Sequence, residues 1–536
     1  MFVYYLVGEQ VYRNKQTNCF DKSLNVGRNV LFGLINRFCA LLMPFIIRTV
    51  LIYRFGVFYL GLNSLCVSIF QMLNLAELGF GTAVVYCLYR PVAENDKEKV
   101  CAYLGTLQKI YRVVGCIILS VGFILMPFFP YLLNGNTVPE DISLFIWYAI
   151  FLVDTAVSYL LFGYKTVIPT ALQRIDLISK IDTFVLIGKS LLQIFFLFSS
   201  DNIYYYLLSS LAFTVVRNLL ISWMVDRYYP QYSCGGSISK EESALLKHLV
   251  AGLALSKIRG VSRNALDTIC ITAFVGLTMT AIYDNYFAVH NAIVSVSMIL
   301  CSSMLPSVGN SIAKECLEKN YADMRRFNFM YMLLAGWATV CLFCLYQPFM
   351  NLWMGKDLML GNYEVAAFCL YFYMLKMGDI RWIYFEGSGL WWKGRYIAVS
   401  EIFINLFLNV LLAKYWGVLG VITATLFSLF FVNFICSARV LFKEYFRNNK
   451  LHEFFTDHAY YFVVTLCIAV LCYYLCEVLF SELSPTTLFP GIMLLILRLF
   501  ICTIVSAAGY FFVYRRTSLY EEAMDWLLIR FRAFFK

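Results

Sequence analysis

The sequence predicts an all-α protein that crosses a membrane many times. Hydrophobic residues make up 61% of the 536-residue chain and charged residues only 14%, whereas an average soluble protein carries roughly 25% charged residues. Apolar runs recur from end to end, and the alternation of apolar and polar residues that marks barrel strands is absent. Because a segment in lipid must satisfy its own backbone hydrogen bonds, these runs are predicted to be helices.

A transmembrane helix needs about 20 mostly apolar residues, and about fourteen such runs are present. They lie near residues 29–53, 58–88, 103–133, 142–166, 176–200, 203–225, 247–275, 279–312, 326–354, 363–388, 396–415, 418–442, 458–481 and 488–514. The residues before the first run lack the basic, apolar and small-residue order of a cleaved signal peptide. We therefore interpret the first run as a retained span.

Basic residues are concentrated in every second loop. The intervening loops NGNTVPEDIS, SSDN, GLTMTAIYDN and SELSPTTLFPG contain no Lys or Arg. Lys and Arg accumulate in short cytoplasmic loops, so this alternation predicts an even number of spans with both termini in the cytoplasm. Arg48, Arg54, Lys356 and Lys414 are the exceptions.

Neither the net charge nor the cysteines indicate a soluble binding partner. The charge of +10 is spread over alternate loops, so we predict no nucleic-acid binding. The 18 cysteines lie mostly within apolar runs, where they are expected to behave as small hydrophobes and to stay reduced. Cys341 and Cys344 form a CxxC, but its apolar helical setting disfavours a redox role. No metal-ligand spacing or phosphate-binding glycine loop is present, so we predict no metal and no cofactor.

An internal repeat divides the chain. Shifting the sequence by roughly 220 residues places RFCALLMPFIIRTVLIYRFGVFYLGLN over KIRGVSRNALDTICITAFVGLTMTAIY. Gly56 then meets Gly276, Gly61 meets Ala281, and Arg37 meets a lysine of the second half. The repeat predicts a boundary between two halves in the polar segment DRYYPQYSCGGSISKEES.

The seventh span carries four charges, Lys257, Arg259, Arg263 and Asp267. Each charge at a helix centre costs about 2.5–3.5 kcal/mol on insertion scales. Arg259, Arg263 and Asp267 are spaced four residues apart, so they share one face, which must contact protein or water. Either Arg263 and Asp267 neutralise each other while the other two snorkel to the cytoplasm, or the face lines an aqueous cavity that binds an anion. The net positive sum, to which Arg37 adds, favours the anion site.

Three further charges within predicted spans are candidates for ion pairing or coupling. Asp154 and Lys189 lie midway along adjacent antiparallel spans, which favours an ion pair; a proton or sodium relay is the alternative. Glu77 lies in the inner half of the second span, where it either reaches the cytoplasmic interface or takes part in coupling.

Polar residues open the eighth span in IYDNYFAVHN. Tyr283, Asn285 and Asn291 are candidates for hydrogen bonds to sugar hydroxyls. Tyrosines at a helix end are also common interface anchors, and both interpretations stay open.

Four strings together resemble a known family: RTVLIYRFGVFYLGLNSL, NLAELGFGTAVVYCLYRPVAENDKEKV, AFVGLTMTAIYDNY and GLWWKGRYIAVSEIFINLFLNVLLAKYWGVLGVITATLFS. Their order and spacing over residues 24–515 resemble the Wzx-like polysaccharide flippases (O-antigen translocases) of the multidrug/oligosaccharidyl-lipid/polysaccharide (MOP) exporter superfamily. The resemblance implies two six-helix halves, as in MATE and MurJ transporters, followed by two extra helices. The expected organisation is a cytoplasmic segment at 1–28, halves at 29–225 and 247–442, a cytoplasmic linker at 226–246, two extra spans within 458–514, and an amphipathic tail at 515–536. The tail is expected either to lie on the inner membrane surface or to fray.

The resemblance also implies a function. Such proteins translocate undecaprenyl-pyrophosphate-linked oligosaccharides between the leaflets of the bacterial cell membrane by alternating access, for surface polysaccharide such as O-antigen, lipopolysaccharide or capsule. Carried over by position, the role of binding the anionic head group falls on Arg37, Lys257, Arg259 and Arg263. Coupling to an H⁺ or Na⁺ gradient is expected, with Asp267 among the candidates. Expected partners are the lipid-linked glycan, membrane lipids, and the polysaccharide polymerase and chain-length machinery.

Two other functions stay open. A cation-coupled multidrug exporter of the same superfamily would favour acidic residues in the cavity. A membrane polysaccharide polymerase or ligase would be an enzyme with a large outer loop, and every predicted outer loop here is short. We therefore expect a transporter rather than an enzyme.

Overall fold

The computed structural model describes residues 22–77, 79–133, 138–447, 450–480 and 488–534. These residues form eighteen α-helices, joined by short 3-10 and π-helical segments, and contain no β-strand. The predicted all-α class is confirmed. Residues 1–21 of the predicted N-terminal segment and parts of two predicted outer loops, at 134–137 and 481–487, lie outside the described residues.

Eight helices precede the polar segment near the middle of the chain. They are α1 (Lys22–Phe55), α2 (Val57–Leu73), α3 (Phe80–Ala93), α4 (Lys97–Leu125), α5 (Leu144–Leu160), α6 (Val167–Ala171), α7 (Ile175–Ser199) and α8 (Tyr204–Tyr228). Short 3-10 segments extend three of them, at Asn74–Glu77, Met126–Leu133 and Gly163–Thr166.

Ten helices follow that segment. They are α9 (Lys240–Phe274), α10 (Leu277–Lys314), α11 (Leu317–Met354), α12 (Asn362–Met377), α13 (Asp379–Gly387), α14 (Arg395–Phe427), α15 (Ser437–Leu441), α16 (Leu451–Phe480), α17 (Leu488–Tyr514) and α18 (Ser518–Phe534). Two π-helical segments, Ser428–Cys436 and Phe442–Phe446, flank α15.

Two tight turns occupy the positions that the repeat aligns. Gly56, between α1 and α2, has φ 99° and ψ 173°, and Gly276, between α9 and α10, has φ 116° and ψ 169°. Residues other than glycine rarely adopt this backbone conformation, so a side chain at either position would strain the turn. The repeat in the sequence thus corresponds to a repeated helix–glycine–helix unit.

The two repeated units pack against each other at their turns. A Cβ atom on Gly61 would lie 2.2 Å from the backbone oxygen of Leu277, so only glycine lets α2 approach that turn so closely. Ala281, which the repeat aligns with Gly61, is fully buried in a core shared with Leu51 and Leu60 of the first unit. We call this side of the molecule the Gly56 end.

The opposite side of the molecule contains the connection between α8 and α9, and we call it the linker end. There the backbone N–H of Gly235 donates to the carbonyl of Cys101 on α4 at 3.3 Å. The side chain of Ser239 accepts from the N–H of Glu242, whose carboxylate in turn accepts from the N–H of Ser239. This capping box starts α9 at Lys240, so the non-helical connection is shorter than the predicted linker at 226–246.

Within the described residues, ten helical stretches are long and apolar enough to cross a membrane, or eleven if the bent pair from Leu144 to Ala171 counts as one span. The other three of the fourteen predicted spans are missing from this count for separate reasons. Helix α9 and the α12–α13 pair carry too many charges, and Arg395–Phe446 counts once although the chain bends sharply at Gly417 (φ 55°, ψ −131°).

Large apolar side chains cover the outside of the bundle, as expected of a surface in lipid. They include Phe123, Leu191, Phe403, Val470 and Phe500, all more than half exposed. Together with the apolar helices, this surface identifies the chain as a multi-pass membrane protein.

The predicted amphipathic tail forms α18. Its Trp526 ring packs edge-on against Phe327 of α11, 5.5 Å between centroids, and the Arg326 guanidinium lies 5.5 Å from the centre of the same ring. Ala523 is buried. The tail is therefore docked at Ala523 and Trp526 rather than frayed there, and its position on the inner membrane surface stays a prediction.

Candidate functional site

The charged face of α9 points into the second half of the chain. The side chains of Arg259 and Arg263 are only 14% and 11% exposed. Asp267, two turns beyond Arg259, is almost fully buried. As the four-residue spacing predicts, the face contacts protein, and α14 is the main helix packed against it.

Both arginines approach one carboxylate, that of Glu401 on α14. The Nη2 of Arg263 lies 3.3 Å from Glu401 Oε1, and the Nε of Arg259 lies 3.9 Å from Oε2. The Arg259 guanidinium also lies 4.3 Å from the centre of the Trp382 ring. Among the described residues, the two guanidinium groups have one carboxylate between them at ion-pair distance, and Glu386 and Asp267 interact with them electrostatically from further away.

A third arginine stabilises the other side of Glu401. Arg381 is buried and donates to the carbonyls of Asn433 and Phe434 at 2.8 Å, carbonyls that lie in the π-helical segment. It also donates to the side-chain oxygen of Asn433, whose amide donates to Glu401 at 2.8 Å. A π-helix shifts its hydrogen bonding to i+5, which exposes such carbonyls to an outside donor. Arg381 is thus a structural residue of the site.

Lys257 makes a contact between the two halves. It forms an ion pair with Glu77, which lies in the 3-10 segment after α2. Glu77 also accepts from the backbone N–H of Gly81 at 2.9 Å and from the Tyr111 hydroxyl at 3.3 Å. Lys257 does not snorkel freely to water, and Glu77 is a buried anchor rather than an interface carboxylate.

Arg37 lies apart from the three cations on α9. Its side chain is exposed, and its Nη2 donates to the backbone oxygen of Ser295 on α10 at 3.5 Å. Among the described contacts, none joins Arg37 to Lys257, Arg259 or Arg263. The structure therefore brings Arg259 and Arg263 together at Glu401, pairs Lys257 with Glu77, and leaves Arg37 at the junction of α1 and α10.

Asp267 forms no ion pair with Arg263 among the described residues, although the two charges interact electrostatically. Its carboxylate accepts from the amide of Asn409 at 2.7 Å, from the Thr425 hydroxyl at 3.0 Å, and from the Tyr283 hydroxyl at 3.5 Å. All three donors are uncharged. A buried carboxylate surrounded by neutral hydrogen-bond donors can hold a proton or bind a small cation, so the structure leaves Asp267 as a candidate for either.

Asp154 and Lys189 do not form the predicted direct ion pair. Ser210 of α8 lies between them: its hydroxyl lies 3.5 Å from Asp154 Oδ2 and accepts from Lys189 Nζ at 3.3 Å. The third helix inserts a small polar residue at the crossing, and the two charges interact through it. One carboxylate oxygen of Asp154 has no hydrogen-bond partner among the described residues.

Two of the three candidate glycan contacts are buried in protein. Tyr283 donates to Asp267, and Asn285 accepts from Arg48 Nη1 at 3.1 Å; both side chains are about 1% exposed. Neither can reach a glycan in this conformation: Tyr283 packs within the second half, and Asn285 contacts the first half through Arg48. Asn291 is partly exposed and stays a candidate.

A second ion pair joins the halves at the Gly56 end. Arg48 Nη2 lies 2.7 Å from Asp284 Oδ2, and the Ser64 hydroxyl donates to the same oxygen at 2.6 Å. Trp353 adds a hydrogen bond from its indole N–H to the Thr49 hydroxyl at 2.7 Å. The pair explains why Arg48 is an exception to the loop charge pattern: Asp284 of the other half neutralises it.

Sequence reasoning missed Glu401 and the Arg48–Asp284 pair. Glu401 is the single acid inside the predicted span at 396–415. A single acidic residue in one apolar span and several basic residues in another are expected to pair, and that pattern could have identified Glu401. Asp284 was obscured because it lies beside tyrosines that resemble interface anchors.

The sequence matches no protein-family model and no curated protein. Solved structures do match. The lipid II flippase MurJ in an inward closed conformation is 13% identical, with a TM-score of 0.63 over 90% of this chain and 99% of that one. An inward-facing multidrug resistance MATE family transporter of the MOP superfamily is 12% identical, with a TM-score of 0.59 over 81% and 99%. An outward-facing one scores 0.54 at 14% identity, over 81% and 96%. The chain therefore has the fold of the MurJ flippase and of MATE transporters.

Proposed function

We propose that the protein is a MOP-superfamily flippase that moves an undecaprenyl-pyrophosphate-linked oligosaccharide from the inner to the outer leaflet of the bacterial cell membrane. One observation carries the proposal: Arg259 and Arg263 share a single carboxylate, Glu401, inside an apolar bundle. Two guanidinium groups with one carboxylate at ion-pair distance are suited to an anionic head group. The likeness in fold to a lipid II flippase supports this choice.

The electrostatics favour a polyanion over a single carboxylate. At a separation of about 4 Å and an effective dielectric constant of about 20, each pair of opposite unit charges attracts by about 4 kcal/mol. A pyrophosphate carries at least two negative charges, so it can displace Glu401 from the arginines and still leave them neutralised. Binding and release of the head group would then be an exchange between two anions.

Alternating access gives the lipid a route. The halves are fastened at the Gly56 end by Arg48–Asp284, whereas along the linker half of α1 and α10 the described contact is that of Arg37 with Ser295. Large apolar side chains stay exposed on both helices there, among them Leu34, Phe38, Val296 and Leu300. We propose that the prenyl tail passes between α1 and α10 while the glycan passes through the centre of the helix bundle. Arg37 would contact the head group at the opening between these two helices. With both termini cytoplasmic, the linker end faces the cytoplasm.

Coupling is assigned to Asp267. Its hydrogen-bond donors Asn409, Thr425 and Tyr283 are all neutral, and it lies on the same helix as the arginines. Binding of H⁺ or Na⁺ there would change the charge of α9 by one unit, two turns from Arg259. The glycan, the polymerase and the chain-length machinery remain the proposed partners.

Two charge-removing variants of opposite sign test the proposal. Arg263→Gln removes one positive charge, and Glu401→Gln removes the competing negative charge. We expect the first to weaken binding of undecaprenyl pyrophosphate to the purified protein by about tenfold or more, which corresponds to about 1.4 kcal/mol. We expect the second to tighten binding and to slow release. Binding is measured by native mass spectrometry, and flipping by glycosidase protection of a lipid-linked oligosaccharide in proteoliposomes.

Lys393→Gln is the matched control. This lysine is exposed and pairs with Glu444 away from the site, so its loss should change neither binding nor flipping. Equal lipid affinity of wild type, Arg263→Gln and Glu401→Gln would contradict the proposed site.

A multidrug exporter is the second candidate, because the fold matches MATE transporters as well and because Asp267 is a buried acid. For a cationic drug the signs reverse: Arg263→Gln would increase and Glu401→Gln would decrease binding of a cationic dye. Measuring both ligands on the same three proteins separates the two functions. Glycan extension by the pure protein would instead reveal a polymerase or ligase.

A further inference from the structure

Five of the chain's 18 cysteines meet at one place, away from the charged site. The thiol of Cys502 on α17 interacts with the thiols of Cys341 and Cys344 on α11 and with those of Cys472 and Cys476 on α16. All five are free thiols. The sequence shows only an i, i+3 pair and an i, i+4 pair on separate helices, and this is why no metal-ligand spacing was recognised.

Three of these thiols are close enough to share an ion. The Sγ atoms of Cys344, Cys476 and Cys502 all lie within 4.8 Å of one another, and the three residues are buried. Among the described residues, they are the one such group of potential ligands. Metal–sulfur bonds of about 2.3 Å place neighbouring ligand sulfurs just under 4 Å apart, so a small side-chain adjustment suffices.

Close helix packing creates the cluster. At Gly336 of α11, a Cβ atom would lie 2.3 Å from the Tyr510 hydroxyl of α17 and 2.7 Å from the Thr465 hydroxyl of α16. Because Gly336 has no side chain, the three helices can pack closely at this point. About two to three turns away from this crossing along each helix, Cys344, Cys476 and Cys502 lie close together.

A buried positive charge accompanies the thiols. Arg498 lies one turn before Cys502 on α17, is 8% exposed, and interacts electrostatically with Cys476. Its Nε has no hydrogen-bond partner among the described residues, and no carboxylate of that set forms an ion pair with it. Thiolates that bind a metal carry excess negative charge, which a neighbouring guanidinium would offset.

We propose that Cys344, Cys476 and Cys502 bind a single soft metal ion, Zn²⁺ or Cu⁺, with Cys472 or Cys341 as a further ligand. Thiolate ligands select these ions over Mg²⁺, Ca²⁺ or Mn²⁺. With three thiolates and Arg498, a Zn²⁺ site has no net charge, which suits its burial. The ion ties α16 and α17 to α11, so it stabilises the attachment of the two extra helices to the bundle. Helices in lipid lack a hydrophobic drive to associate, so such a link is a useful addition to packing.

The test uses the full chain purified in detergent under reducing, anaerobic conditions. The protein is incubated with Zn²⁺ or Cu⁺, freed of unbound metal by gel filtration, and analysed by elemental mass spectrometry. We expect about one ion per chain for the wild type and at least a tenfold loss for Cys344→Ala/Cys476→Ala/Cys502→Ala. The matched control is Cys66→Ala/Cys270→Ala/Cys369→Ala, which removes three buried thiols elsewhere and should retain the ion. The two metals are tested separately, so the retained ion identifies the preference.

X-ray absorption on the metal-loaded wild type provides a second measurement that needs no variant. We expect three or four sulfur neighbours at about 2.3 Å. A coordination shell of nitrogen and oxygen only, a wild type that retains no metal, or equal retention by wild type and the cluster variant would each overturn the proposal.

Discussion

Asp284→Asn should open the molecule at the Gly56 end. The carboxylate of Asp284 accepts from Arg48 at 2.7 Å and from Ser64 at 2.6 Å, and it joins the two halves. Both side chains of the ion pair are at most one-fifth exposed, so water screens the interaction only in part. The variant removes the charge and keeps the shape.

The magnitude follows from the geometry. At 2.7 Å and an effective dielectric constant of about 20, the gross attraction is about 6 kcal/mol. Measured losses on truncating one partner of such a pair are about 2–5 kcal/mol. Because asparagine still accepts hydrogen bonds, we take the lower limit, which corresponds to about a 30-fold shift in the equilibrium. A state open at the Gly56 end with a population of about 1% would rise to about a quarter.

Double electron–electron resonance between two spin labels measures this population. The labels replace Tyr53 on α1 and Tyr363 on α12, which are 83% and 81% exposed near the Gly56 end. Spin labels introduced as non-natural amino acids avoid the native cysteines. We expect a second, longer distance to appear in Asp284→Asn.

Asp201→Asn is the control for that measurement. Asp201 pairs with Arg54 on α1 at 3.3 Å, but its side chain is fully exposed, so the pair should contribute little. An unchanged distance distribution in Asp284→Asn would refute the view that this ion pair holds the halves together.

Two further predictions concern coupling and packing. Asp267→Asn should abolish the stimulation of flipping by an imposed H⁺ or Na⁺ gradient in proteoliposomes while lipid binding persists; a retained gradient response would exclude Asp267 as the coupling residue. Gly61→Ala should destabilise the protein by about 1–3 kcal/mol, because its Cβ would lie 2.2 Å from the oxygen of Leu277. Gly33→Ala, with no atom within 4 Å of its Cβ, should leave the thermal unfolding temperature unchanged or raise it.

The fold was predictable because a bilayer restricts the choices. Only helices satisfy the backbone of an apolar run in lipid, so run length sufficed to predict the helices, whereas the orientation that loop charge predicts stays a prediction. The repeat was predictable for a similar reason: Gly56 and Gly276 are required by one backbone conformation. The direction of the α9 face followed from the four-residue spacing of Arg259, Arg263 and Asp267.

The partners of the charged residues were not predictable. Asp267 lies four residues from Arg263, and that spacing suggests an ion pair, yet its carboxylate turns toward Asn409 and Thr425 of α14. The arginines instead reach Glu401, more than a hundred residues away in the sequence. Sequence spacing reports which residues share a helix face, whereas helix crossings decide which faces meet. The cysteine cluster escaped sequence reasoning for the same reason.

The paired glycine turns bear on the ancestry of the chain. The helix pair α1–α2 packs against the Gly276 turn at Gly61, and the helix pair α9–α10 contributes Ala281 to the same core. The sequence predicts six spans in each half, an even number, so both halves would enter the bilayer in the same sense. Two copies of one such half, encoded by an unduplicated gene, would already fit each other as a symmetric dimer. Fusion of the two copies would then have required only a connecting segment of polar residues. Differences between the halves, such as the base-rich face of α9, could accumulate afterwards.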